Sequence, residues 1–105
     1  MDSDDLSNLL NIKSIEEKIF KYKTMYHPNL VANLSKEAYD LYVTRSSISD
    51  KLLNIISKNR TNYDEVHNYI KNQIDLLKNK LHNSKDEQEK IDLKLAIDVW
   101  NEFLR

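Results

Sequence analysis

The chain has 105 residues, with sixteen Lys and Arg against seventeen Asp and Glu, three His, one Pro, and neither Cys nor Gly. A net charge of -1 excludes a global basic field that would draw in nucleic acid or anionic lipid, and the lack of cysteine excludes disulfides and thiolate metal sites. Without glycine there can be no Gly-rich phosphate loop, so the composition favours helices joined by short polar segments within a single domain, 1–105.

A short helix is expected over 4–11. Ser3 or Asp4 can cap it, and Leu6, Leu9 and Leu10 give it an apolar side. Ser14-Ile15-Glu16-Glu17 then forms a capping box, in which Glu17 reaches back to the start of a second helix over 15–26. Ile15, Ile19, Tyr22 and Tyr26 share a face of that helix, with Phe20 beside it. Pro28 ends it, because the residue before a proline avoids helical geometry. Leu30, Val31 and Leu34 make a short apolar connector, and Ser35 caps a longer helix over 36–57. Ala38, Leu41, Tyr42, Ile48, Leu52, Ile55 and Ile56 mark its buried side. Thr44 to Ser49 is polar and serine-rich, so a single helix is expected, with this stretch as the place where a kink or break would fall.

The clearest element is the helix over 62–82. Val66, Ile70, Ile74, Leu77 and Leu81 recur at steps of four, four, three and four, which sets all five on one stripe. Such a helix cannot hide its stripe alone, so other segments must cover it. Ser84-Lys85-Asp86-Glu87 is a second capping box and opens a helix over 85–104. Ile91, Leu95, Val99 and Phe103 line one side of it. Leu93, Ala96, Ile97, Trp100 and Leu104 broaden that side until the C-terminal half is apolar nearly all round. The short connections predict an all-α fold: a compact up-down bundle of three to four main helices plus a short N-terminal helix. The acidic start lacks the basic region and apolar run of a secretory signal, and no apolar run is long enough to cross a bilayer. A cytoplasmic location is expected, or a nuclear one in a eukaryote. Asn33-Leu34-Ser35 and Asn59-Arg60-Thr61 match the glycosylation sequon, but Ser35 and Thr61 read as helix-start residues.

Three short constellations could carry chemistry. Arg60, six intervening residues, His67, one residue and then Tyr69 form an arginine–histidine–tyrosine series at a helix start. It resembles the signature of the HEPN superfamily, small all-helical proteins that include many ribonucleases. The resemblance implies that Arg60 would bind a phosphate, that His67 would act in acid–base cleavage, and that Tyr69 would be the accompanying tyrosine. The six-residue gap is at the long limit of that signature. Read from composition alone, the same residues are a joint arginine, an exposed histidine and a boundary tyrosine. Tyr26-His27-Pro28-Asn29 after an amphipathic helix resembles the His-Pro-Asp loop of J-domain cochaperones, with Asn29 standing where that family carries aspartate. The alternative is a helix stopped by proline. Lys18-Ile19-Phe20-Lys21-Tyr22-Lys23 interleaves lysines with aromatics, as a nucleic-acid surface would. At helical spacing Ile19 and Tyr22 would face the core and the lysines would solvate the other side. Asp64 and His67 lie one turn apart, but no other ligand accompanies them, and neither metal nor cofactor is expected.

The function these features favour is a helical module that binds another protein through an apolar helix face, as a regulator, immunity protein or host-targeting factor would. Trp100, Phe103, Leu104, Tyr22 and Tyr26 are the expected contact residues, because Tyr and Trp join large apolar area to a polar tip. The first three could also pair two copies of the chain. A HEPN-like ribonuclease or inactive relative is the second candidate function, and nucleic-acid binding through Lys18–Lys23 is the third.

Overall fold

The computed structural model describes residues 3–24, 34–59 and 62–105. The described residues are all-α and contain no strand. Among them four helices follow in order: α1 (Ser3–Thr24), α2 (Lys36–Asn59), α3 (Tyr63–Asn83) and α4 (Glu87–Glu102). None is long and apolar enough to cross a membrane. The chain forms two compact units, Met1–Val66 and His67–Arg105, and the division falls in the first turn of α3.

In the first unit α1 packs against α2. Three contacts set an antiparallel register. The Arg45 guanidinium lies 4.7 Å from the Tyr22 ring centroid, Lys23 pairs with Asp50, and Asn8 meets Tyr63 just past the end of α2. That register brings Ile12, Ile15 and Ile19 level with Ile56, Leu52 and Ile48, and all six are buried. Burial of each such side chain stabilises by about 1.5–3 kcal/mol. Leu52 has no exposed surface, so Leu52→Ala would leave a cavity and cost about 2–5 kcal/mol.

One expectation is overturned by α1. Segments 4–11 and 15–26 are not separate helices, because α1 runs unbroken from Ser3 to Thr24. Ser14 lies inside it, and the hydroxyl is no cap. The reason is Ile12: continuous helix puts it on the buried face with Ile15, whereas a joint there would lose that burial. The single helix expected over 36–57 is found, and α2 is α-helical through the weak Thr44–Ser49 stretch. Ile48 and Leu52 anchor this weakly helical run from below. Its residue of conflict is Ser49, whose hydroxyl is fully buried with no hydrogen-bond partner.

In the second unit α3 and α4 form a helical hairpin through residues 84–86. Tyr69 and Trp100 meet edge-to-face across it, with ring centroids 5.8 Å apart and an interplanar angle of 69°. Ile70 and Ile74 of the α3 stripe are buried as expected, as is Val66 at the end of the first unit, while Leu77 and Leu81 are half-buried. On α4, Ile97, Val99 and Trp100 are buried, as is Phe103 at its C-cap, but Ile91 is exposed. Nine residues separate Ile91 from Trp100, which is half a rotation, so Ile91 falls on the opposite side. Asp86, not Ser84, is the N-cap of α4. Its carboxylate accepts the backbone N–H groups of Gln88 (2.9 Å) and Glu89 (3.4 Å). A carboxylate beside the positive helix end is the stronger acceptor of the two candidates. At the other end the chain leaves the helix through a tight turn, with Phe103 N–H to Trp100 carbonyl at 3.2 Å and Leu104 N–H to Asn101 carbonyl at 3.0 Å.

Candidate interaction surface

Trp100 and Phe103 are buried, and their rings are taken up by the packing of the chain itself; Leu104 is half-buried. Tyr22 is buried beneath the Arg45 guanidinium. Tyr26 lies outside the described residues, as does the whole His27-Pro28-Asn29 segment. Arg60 also lies outside them. His67 is half-buried on α3, and the half-buried Tyr69 directs its ring at Trp100. No cluster of three or more His, Asp or Glu among the described residues could hold a metal ion. In the 18–23 run Ile19 and Tyr22 are buried, as expected, and Phe20 is exposed. Lys18 and Lys21 fall on one side of α1, and Lys23 turns away to pair with Asp50. The three lysines therefore do not form one basic stripe.

The surface that stands out is on α1. Helical phase divides its apolar residues between two sides. Ile12, Ile15, Ile19 and Tyr22 fall on the buried side. Leu6, Leu9, Leu10 and Phe20 fall on the other, and they are 51%, 45%, 57% and 70% exposed. One turn before the buried Ile12 the usual arrangement is inverted, because the residue facing inward there is Asn8. Its side-chain oxygen accepts the backbone N–H of Tyr63. A polar depression lined by Ser7, Asn8, Asn11, Tyr63 and Asp64 surrounds that contact. The leucines thus point to water while an asparagine serves the interior.

Leucine repeated on a solvated face gains nothing from exposure, so a patch of this kind marks a binding surface more often than chance placement does. Its four apolar side chains sit around Lys13 and Glu17, which lie on the same side of α1 and are both exposed. Neither of these two side chains has an ion-pair partner among the described residues. The signal is present in the sequence in one form only. Counting helical phase without interruption from Leu6 to Phe20 separates the two sides, whereas a joint at 12–14 resets the count and hides the outer one.

No family model, curated protein or solved structure matches this chain.

Proposed function

We propose that this chain is a small helical interaction module that binds another protein through the outward side of α1. The observation that supports it is the inversion on that helix: Leu6, Leu9, Leu10 and Phe20 exposed, with Asn8 turned inward. An amphipathic partner groove or helix face would cover these side chains, and Lys13 and Glu17 would set its register. Such a module acts by occupying a partner's surface, as a regulator or an immunity or host-targeting protein does, and needs no reacting group of its own.

The test compares the wild-type chain with a Leu10→Asp/Phe20→Lys variant in affinity capture from the native host. Both residues are exposed, so far-UV circular dichroism should be unchanged. A partner retained by the wild type and lost by the variant is the expected result. Identical capture by the two would show that this side of α1 is not the binding surface.

A further inference from the structure

We infer that the outward side of α1 pairs with the same side of a second copy of the chain, antiparallel and about a two-fold axis level with Ile15. This rests on the reading of α1 as the binding surface and names its occupant.

The stripe is self-complementary in one register. A two-fold axis at the level of residue 15 brings Lys13 of each copy opposite Glu17 of the other. The same operation sets Leu10 opposite Phe20, and Leu6 opposite Thr24, each contact occurring twice. Moving the axis to the level of Lys13 would stack the two lysines on each other. A parallel pairing would align Lys13 with Lys13 and Glu17 with Glu17. Like charges face each other in both of those arrangements, and opposite charges attract in the first alone. Antiparallel packing also opposes the two helix dipoles. Lys13 and Glu17, which find no ion pair among the described residues of their own chain, each gain one in the dimer.

The size of the patch bounds the strength. The four exposed apolar side chains offer on the order of 400 Å² per copy, within the range of the largest apolar patch of an ordinary monomer. Twice that area falls below the roughly 1,200 Å² at which stable interfaces begin, so the dimer is weak and concentration-dependent.

Sedimentation equilibrium on the full chain, over a concentration series, tests the pairing by charge exchange. Wild type should shift from monomer toward dimer as concentration rises. Lys13→Glu alone sets two carboxylates against each other across the axis, and Glu17→Lys alone sets two ammonium groups against each other. Each variant should therefore weaken self-association about tenfold or more. An equimolar mixture of the two variants allows a mixed pair in which both contacts join opposite charges, and the doubly exchanged Lys13→Glu/Glu17→Lys chain restores both within pairs of identical copies. That double variant should recover association near the wild-type level. Phe20→Lys, on an exposed side chain, should abolish the dimer through the apolar contact instead, with circular dichroism confirming the fold of every variant. A wild type that stays monomeric to the solubility limit overturns the inference while leaving the capture experiment to decide the function. A dimer that ignores both single charge variants, or a double variant no better than its components, overturns it as well.

Discussion

The side-chain oxygen of Asn8 on α1 accepts the backbone N–H of Tyr63, fifty-five positions further on, at the start of α3. The first turn of any helix has N–H groups without intrahelical partners. Here they are shared out: Asn8 takes that of Tyr63, and the Asn62 side chain takes that of Glu65 at 3.3 Å. A cap drawn from a distant helix ties the start of α3 to α1. It also accounts for the polar residue at the inward position of a leucine-rich segment.

Asn8→Ala should therefore cost about 1 kcal/mol, the usual size of a lost cap. Asn8→Asp keeps an acceptor oxygen at a positive helix end and should remain within a few tenths of wild type. Urea midpoints at constant slope measure both. Equal losses in the two variants would mean that the oxygen is not what matters at this position.

The α3 stripe is legible in the sequence because five residues agree with one period and nothing local opposes it. The start of α1 is not, because local and tertiary signals conflict. Ser14 and Glu17 have the chemistry of a cap, but burial of Ile12 beside Ile15 and Ile19 outweighs it. A cap contributes about 1 kcal/mol, whereas a buried isoleucine contributes about 1.5–3. The consequence reaches the candidate site: with α1 divided, Leu6 and Leu10 read as core residues of a separate short helix. The exposed surface becomes visible only when the helix is continuous. The rings of Trp100 and Phe103 stand out in the sequence by their apolar surroundings, but sequence cannot say whether a chain covers such residues by itself.

Ser49 supplies a prediction with the opposite sign. Its hydroxyl is fully buried in α2 without a hydrogen-bond partner, so the folded state bears the loss of its hydration. Ser49→Ala removes that group and adds helix propensity of a few tenths of a kcal/mol. The variant should be more stable by about 1 kcal/mol, seen as a higher thermal midpoint. A drop in stability would mean that the hydroxyl has a partner after all, such as a bound water.

The ring pair in the second hairpin is convenient to follow because Trp100 is the single tryptophan of the chain. Buried as it is, it should emit at short wavelength and shift to the red on unfolding. Tyr69→Leu keeps much of the apolar volume but loses the edge-to-face contact with Trp100. A double-mutant cycle with Trp100→Leu should return a coupling of about 0.5–1.5 kcal/mol. Because each single variant must itself be followed without the tryptophan signal or with it altered, circular dichroism serves as the common probe. A coupling of zero would reduce the pair to mere proximity.

The start of α4 separates two capping candidates two residues apart. The Ser84 hydroxyl and the Asp86 backbone N–H are 3.4 Å apart, a long contact that lies outside the helix. The Asp86 carboxylate instead accepts from two first-turn N–H groups, and its charge lies at the positive end of the helix. Asp86→Ala should then cost about 1 kcal/mol, and Ser84→Ala no more than roughly half of that. Amide exchange gives the local form of the same test. Loss of the Asp86 cap should speed exchange at Gln88 and Glu89, where loss of the Ser84 hydroxyl should leave both unchanged. The reverse order of effects would move the helix start back to Ser84 and restore the capping box that the sequence suggests.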